Sequence, residues 1–185
     1  MKELVMDEAE IKETCSRLGG ELTERLKKED RLPLFIGVMD GAVEFMSDLI
    51  RFVKVPLLVD YVKVQSWEGT HNTGTVRIVR DCQSNLSGRT VVVVDDIVET
   101  GKSMELLLAR LREMGRPKRI ITVALFDKPF ARKTSLRIDL CGRSLDKRQF
   151  LMGYGFDYKG LNRNIPYVYV PTDEEIEEME RQVSK

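Results

Sequence analysis

Hydrophobic periodicity divides the chain into alternating predicted helices and strands. Apolar residues recur at helical spacing over residues 11–26, 42–52, 102–114 and 172–183. Short apolar or alternating runs predict strands at residues 34–38, 57–64, 75–79, 91–94, 119–126, 136–140, 150–154 and 167–170. A capping box, Asp7 with Glu10, marks the start of the first helix. The pair Gly19-Gly20 predicts that this helix is weakened or split, because glycine is a poor helix former.

Four consecutive valines at residues 91–94 are the strongest indication of fold class. An unbroken apolar run of this kind is typical of a strand buried on both faces, as in parallel sheets. Together with the alternation of strands and helices, it predicts an α/β fold with an open, mainly parallel sheet flanked by helices, and a small extra lobe. A chain of 185 residues fits one such domain, and it contains no internal repeat or linker.

Composition narrows the possible partners and the compartment. The 30 basic and 30 acidic residues balance, and no basic cluster stands out, so we expect neither a nucleic-acid nor a membrane partner. Three separated cysteines without a CxxC pair favour a reducing compartment over a disulfide framework or zinc site. The acidic N-terminus is unlike a signal peptide, and no apolar run has membrane-spanning length, so we expect a cytoplasmic protein.

The turn after the valine strand carries the most specific chemistry. Asp95 and Asp96 end the apolar run, and residues 100–103 offer hydroxyl and backbone N–H groups where a helix begins. Unpaired amides at a helix N-terminus favour an anion, but two adjacent carboxylates repel a bare phosphate. A phosphorylated sugar bound with Mg²⁺ meets both conditions, because it brings hydroxyls and a cation as well as the phosphate.

This segment resembles the phosphoribosyl pyrophosphate (PRPP) binding signature of the type I phosphoribosyltransferases. The resemblance implies that Asp95 and Asp96 hold the ribose hydroxyls and contribute to metal binding. It also implies that the 5′-phosphate is surrounded by Glu99, Thr100, Gly101, Lys102 and Ser103. The implied fold is one domain over residues 1–185, with a core at about 30–130 and a C-terminal hood at about 131–171 that the N-terminal segment joins.

Other segments resemble the hypoxanthine–guanine branch of this family. Asp40 and Gly41 match its pyrophosphate loop, where main-chain amides contact the leaving group. Ser66 and Trp67 match the lid over PRPP, although the family usually has tyrosine at the second position. His71, the single histidine, is interpreted as a solvated lid residue rather than a catalyst or metal ligand.

The same branch supplies expectations for the base and the metal. Lys128 resembles the lysine that donates to O6 of a 6-oxopurine, which favours hypoxanthine and guanine over adenine. Phe150 would stack on the base, and the Leu151 backbone would contact the purine edge. Asp157 would hold Mg²⁺, through water, and Arg163 would contact the pyrophosphate.

The implied reaction is purine salvage: transfer of a 5-phosphoribosyl group from PRPP to N9 of hypoxanthine or guanine, giving IMP or GMP and pyrophosphate. Glu99 occupies the position of the general base, where relatives normally have aspartate. Two alternatives remain open: a regulator that binds PRPP or nucleotide with little catalysis, and an enzyme that prefers xanthine. The resemblance also implies a homodimer or homotetramer.

Overall fold

The computed structural model describes residues 2–67 and 75–184. Its helices are α1 (Glu8–Leu26), α2 (Val43–Phe52), α3 (Lys102–Gly115) and α4 (Asp173–Val183), with a short 3₁₀ helix at Pro129–Ala131. Its strands are β1 (Glu3–Met6), β2 (Leu34–Met39), β3 (Leu58–Trp67), β4 (Thr75–Arg80), β5 (Thr90–Val98), β6 (Arg119–Asp127), β7 (Leu140–Ser144) and β8 (Val168–Val170).

A six-stranded sheet in the order β4-β3-β2-β5-β6-β7 forms the centre of the protein. All neighbouring pairs are parallel except β3 with β4, which confirms the predicted open, mainly parallel sheet. The chain passes from β2 to β3 on one side, and later adds β5 on the other side of β2. The carboxyl ends of β2 and β5 therefore meet at a topological switch point, where open α/β sheets bind ligands.

The four valines of β5 face alternate layers of the core. Val92 and Val94 pack with residues of α1 and α2, whereas Val91 and Val93 pack with residues of α3. All four are fully buried. Because both faces of the strand are covered, its sequence is continuously apolar rather than alternating.

A second, two-stranded sheet pairs β1 with β8 in antiparallel register. Beside it, Met152, Tyr169 and Met179 form a small cluster that α4 helps to cover. The capping box of Thr172 with Glu175 fixes the start of α4. Strand β1 was not predicted, because four residues are too few to establish a period.

Three predicted elements differ in the structure. Helix α1 runs without interruption through Gly19-Gly20, because Gly19 packs directly against Phe52 of α2. Sheet pairing of the segment predicted at residues 136–140 begins only at Leu140, since the Asp139 side chain accepts a hydrogen bond from the Thr122 amide at 2.8 Å. Residues 150–154 form turns with two isolated bridges, at Met152 and Gly153, because positive φ angles at Gly153 and Tyr154 are incompatible with a strand. Within the described residues, no helix combines the length and apolar content needed to cross a membrane.

Candidate active site

The loop after β2 and the acidic end of β5 are in direct contact. A Cβ atom on Gly41 would lie 2.0 Å from Oδ2 of Asp96, so a larger residue at this position would displace the Asp96 carboxylate. Gly41 follows β2 and Asp96 lies near the end of β5, at the switch point of the sheet. The structure therefore brings the predicted pyrophosphate loop and the predicted ribose-binding acids together.

The Asp95 and Asp96 carboxyl groups are half-buried and electrostatically strained. Burial raises the pKa of Asp95 well above its ordinary value, and repulsion from the Asp96 carboxylate raises it further. Burial also raises the pKa of Asp96, while hydrogen bonds and the Arg163 guanidinium partly oppose the shift. Two close carboxylates of this kind favour a ligand that supplies hydroxyl donors or a cation.

The turn between β5 and α3 has an open helix N-terminus. Gly101 occupies the N-cap position with a φ of 81°, in the left-handed region that favours glycine. Glycine has no side chain to cap the helix, and the Thr100 hydroxyl accepts from the Lys102 amide at 3.4 Å, so the Ser103 amide of the first turn is available to donate to an anion. Thr100, Lys102 and Ser103 lie at this helix start, and the phosphate site predicted there stays a prediction.

A segment after β6 forms the back of this turn. Arg132 donates a hydrogen bond to the Glu99 carbonyl at 2.9 Å and forms an ion pair with Asp127. The Lys133 amide donates to the Thr100 carbonyl, also at 2.9 Å. A Cβ on Gly101 would lie 2.9 Å from Cδ of Arg132, so the two are in close contact. Arg132 was not predicted from the sequence, because an isolated arginine in a loop carries no recognisable pattern.

Lys128 is a buried cation at the end of β6, with only 5% of its surface exposed. Its ammonium group forms an ion pair with the Glu99 carboxylate and donates a hydrogen bond to the Gln149 carbonyl at 2.9 Å. The predicted purine donor and the predicted general base are thus brought into contact with each other. Gln149 is a further residue that sequence analysis missed, since it acts through its backbone.

A cleft of about 480 Å³ opens beside this ion pair. Its lining comprises Glu99, Thr100, Lys128, Phe130, Ala131, Lys133, Arg148, Gln149 and Phe150. Phe150 is 46% exposed and meets Tyr158 edge to face, with ring centroids 6.0 Å apart. Leu151 is buried beside it. An exposed aromatic ring next to a buried hydrogen-bond donor is a suitable surface for a flat heterocycle.

The segment that carries Asp157 and Arg163 packs against the loop after β2. Asp157 forms an ion pair with Arg163 at 2.7 Å and accepts a hydrogen bond from the Gly160 amide at 2.6 Å. A Cβ on Gly155 would lie 2.1 Å from the Gly41 carbonyl oxygen, which shows how closely the two segments approach. The predicted metal and pyrophosphate residues of this segment therefore lie beside the paired acids.

Asp40 directs its carboxylate to the neighbouring strand. Its Oδ2 lies 2.7 Å from Nζ of Lys63 on β3, and the Met39–Asp40 peptide is cis. The carboxylate is thereby neutralised, which leaves the backbone of the loop as the part suited to an anionic ligand.

The predicted lid falls largely outside the described residues. Residues 68–74, which include His71, are not among those described. The backbones of Ser66 and Trp67 end β3 and pair with Val76 and Thr75 of β4. The roles predicted for both side chains stay predictions.

The acidic side chains at the site determine which mode of divalent metal binding is open to it. Among residues 2–67 and 75–184, no group of three or more acidic, histidine or cysteine side chains is arranged to hold a metal ion. Mg²⁺ does not need such a cage, because it binds through one or two carboxylates together with substrate phosphates and water. The strained pair Asp95 and Asp96 fits that mode of binding.

Comparison with known protein families agrees with this geometry. The model of the phosphoribosyl transferase domain matches residues 7–159. The chain belongs to the phosphoribosyltransferase family. Hypoxanthine-guanine phosphoribosyltransferase from Bacillus subtilis is 34% identical to this phosphoribosyltransferase over 92% of the chain and 93% of the relative. The protein of that name from Staphylococcus aureus is also 34% identical, over 91% of the chain and 92% of the relative.

Solved structures of the family share the fold of this phosphoribosyltransferase. A hypoxanthine phosphoribosyltransferase from Staphylococcus aureus superposes with a TM-score of 0.85 at 31% identity, covering 95% of this chain and 94% of the other. A hypoxanthine-guanine phosphoribosyltransferase from Bacillus anthracis gives a TM-score of 0.83 at 26% identity, covering 92% and 97%. Membership of the family and the family's fold are thus established for this chain.

Proposed function

We propose that this phosphoribosyltransferase acts in purine salvage. It transfers the 5-phosphoribosyl group of PRPP to N9 of hypoxanthine or guanine, giving IMP or GMP and releasing pyrophosphate. The observation that carries the proposal is the arrangement at the switch point. The paired acids, the helix N-terminus of α3 and the buried Lys128 all lie near the carboxyl ends of the adjacent strands β5 and β6.

PRPP binding rests on the two loops in contact there. Asp95 and Asp96 accept hydrogen bonds from the ribose hydroxyls, and the turn at residues 100–103 receives the 5′-phosphate through backbone amides. Gly41 and its neighbours in the loop after β2 present main-chain amides to the pyrophosphate. Arg163 adds a fixed positive charge on the same side, beside Asp96.

Mg²⁺ is the expected cofactor, with Asp95, Asp96 and Asp157 as the residues that would hold it. When bound, it would neutralise the negative charge that develops on the leaving pyrophosphate. Arg163 and the backbone amides contribute to the same stabilisation as fixed dipoles and charge. Asp95 and Asp96 suit the ribose, which becomes positively charged as the bond to pyrophosphate breaks.

Base recognition is assigned to the cleft beside Lys128. An ammonium group is a donor only. It can therefore donate to the 6-oxo oxygen of hypoxanthine or guanine, whereas the 6-amino group of adenine offers it no acceptor. Phe150 provides a face for stacking, and the Leu151 backbone lies next to it. Glu99, as general base, receives or shares the proton of N7 while N9 attacks the ribose.

The proposal extends to the assembly state, the compartment and the lid of the enzyme. We propose one catalytic domain over residues 1–185, assembled as a homodimer or homotetramer in the cytoplasm. Light scattering coupled to gel filtration measures the assembly state. Lid closure by Ser66 and Trp67 belongs to the same proposal, and quenching of the single tryptophan by PRPP tests it.

Initial-rate assays with PRPP, Mg²⁺ and each of hypoxanthine, guanine, xanthine and adenine test the proposed function. We expect IMP and GMP to form with equimolar pyrophosphate, and adenine to be inert. Lys128→Met is expected to raise the KM for hypoxanthine by about tenfold or more, because a charged hydrogen bond is lost. Rapid turnover of xanthine alone, or PRPP binding without turnover of any base, would instead support one of the alternatives.

A further inference from the structure

The ion pair between Lys128 and Glu99 occupies the position where the proposed function needs both side chains free. Lys128 is to donate to O6 of the purine, and Glu99 is to act at N7. In the structure each is the partner of the other. Because the Lys128 side chain is only 6% exposed and Glu99 lines the same cleft, a 6-oxopurine that enters the cleft meets the Glu99 carboxylate at the ammonium group.

Burial explains why Lys128 keeps an anionic partner. Its side chain is 6% exposed, and an ammonium group removed from water is costly without compensating charge. The Gln149 carbonyl, at 2.9 Å, supplies one acceptor, and the Glu99 carboxylate supplies the charge. The backbone of Lys128 is held by a hydrogen bond from its own amide to the Val98 carbonyl at 3.0 Å.

Glu99 is the movable member of the pair. Its side chain is 49% exposed, whereas its backbone carbonyl is fixed by Arg132 at 2.9 Å. Rotation about the side-chain bonds of Glu99 thus breaks the pair without disturbing the turn. An aspartate on the same fixed backbone is one methylene shorter and would hold its carboxylate farther from Lys128.

We propose that the Glu99 side chain is a specificity determinant that competes with the purine for Lys128. This inference rests on the proposed function and deepens it. A 6-oxopurine with a proton on N7 compensates both members of the broken pair: O6 replaces the carboxylate at Lys128, and N7–H is a new donor to Glu99. Adenine offers Lys128 no acceptor at position 6, so it would leave a buried ammonium without its partner.

Binding of the product IMP measures the competition between Glu99 and the purine for Lys128 without any contribution from catalysis. In IMP the N7 atom carries no proton, so Glu99 gains nothing from the bound purine and acts only as a competitor. Isothermal titration calorimetry with Mg²⁺ compares IMP with ribose 5-phosphate, which lacks the base. We expect Glu99→Asp to tighten IMP binding by about tenfold, the scale of one charged hydrogen bond, and to change ribose 5-phosphate binding less than about twofold.

Two further variants control this experiment. Glu113→Asp shortens an acid that is 73% exposed on α3 and should leave both affinities unchanged. In the background of Lys128→Met, the Glu99→Asp change should no longer tighten IMP binding, because the competed cation is absent.

The outcomes separate this inference from the proposed function. Wild-type protein that binds IMP with the same affinity as Glu99→Asp would overturn the competition while leaving the proposed function intact. Equal tightening of IMP and ribose 5-phosphate would also overturn it, since the effect would not depend on the base. Wild-type protein that binds neither ligand would overturn both.

Discussion

At the scale of single residues, the site is built from groups that are poorly neutralised in the free protein. Asp95 and Asp96 repel each other in a half-buried position, and the buried Lys128 depends on a movable carboxylate. Such groups lower the stability of the free protein but are placed for a ligand that brings opposite charge or hydrogen bonds.

Replacement of Asp95 tests this trade-off. Because the folded state raises the pKa of Asp95, folding takes up protons, and stability falls as pH rises from the ordinary value of 3.8 through the raised one. We expect Asp95→Asn to raise the melting temperature at neutral pH, to show a smaller gain at pH 4, and to weaken PRPP binding by about tenfold or more. Scanning calorimetry at both pH values measures this, and a lower melting temperature at pH 7 would contradict it.

Candidate site residues could be predicted from the sequence where they formed a continuous pattern. The acids and small residues from Asp95 to Ser103 stand in one continuous segment, and the structure places them at the carboxyl end of β5. Arg132 and Gln149 were not predictable, because their roles depend on loops that approach from distant parts of the chain. The contact of Lys128 with Glu99 likewise depends on the pairing of β5 with β6.

At the scale of elements, close packing rather than propensity decides where helices continue. Two adjacent glycines in α1 were expected to weaken or split it, yet the helix is continuous. Gly19 faces α2, where a Cβ would lie 2.5 Å from Cβ of Phe52, whereas a Cβ on Gly20 would meet no atom within 4 Å. The glycine pair thus serves helix contact at one position and only lowers propensity at the other.

The two glycines make a matched pair of mutations. Gly20→Ala should stabilise the protein by roughly 0.5 to 1 kcal/mol, the usual difference in helix propensity. Gly19→Ala should destabilise it by roughly 1 to 3 kcal/mol, because the added methyl group overpacks the contact with Phe52. Urea unfolding measures both, and equal effects of the two substitutions would show that α1 and α2 do not pack as described.

The predicted strand at residues 150–154 was wrong, because the backbone geometry there differs from what a short apolar run indicates. Residues 150–154 are apolar enough to be a strand, but they turn sharply to bring Phe150 to the cleft and Tyr154 toward α2. The Tyr154 hydroxyl donates to the Asp48 carboxylate at 2.8 Å, which ties this segment to the main sheet's helical layer. A single sequence offers no pattern for such a turn, because long-range contacts determine it.

At the scale of the whole molecule, the sheet edge beyond the site is held by one buried acid. Asp60 of β3 accepts hydrogen bonds from the amides of Tyr61, Gln83 and Ser84 at 2.7 to 2.9 Å, and from the Cys82 thiol at 3.2 Å. Burial opposes its ionisation, but these donors together lower the pKa of Asp60 to about 2. The loop after β4 is thereby fixed to the sheet.

Asp60→Asn should reduce the free energy of unfolding by about 2 to 3 kcal/mol at pH 7, because an amide cannot accept from all these donors. The folded pKa is lowered, so the Asp60 contribution is complete above the ordinary value of 3.8 and is lost as pH falls through about 2. The difference between wild type and variant should therefore shrink from pH 4 downward.

Chemical denaturation across this pH range measures the difference, with Glu21→Gln as the control. Glu21 is 42% exposed in its pair with Arg17, so its replacement should cost less than about 1 kcal/mol. A loss for Asp60→Asn no larger than that of the control would contradict the role assigned to Asp60.

PRPP binding by the paired acids is decided by a calorimetric titration of PRPP with Mg²⁺ into the wild-type protein and the Asp95→Asn, Asp96→Asn double variant. We expect saturable binding to the wild type at one PRPP per chain, and affinity weakened by at least about tenfold in the variant, because both ribose contacts are lost. Absence of binding to the folded wild type, or equal affinity of the two proteins, would contradict this expectation.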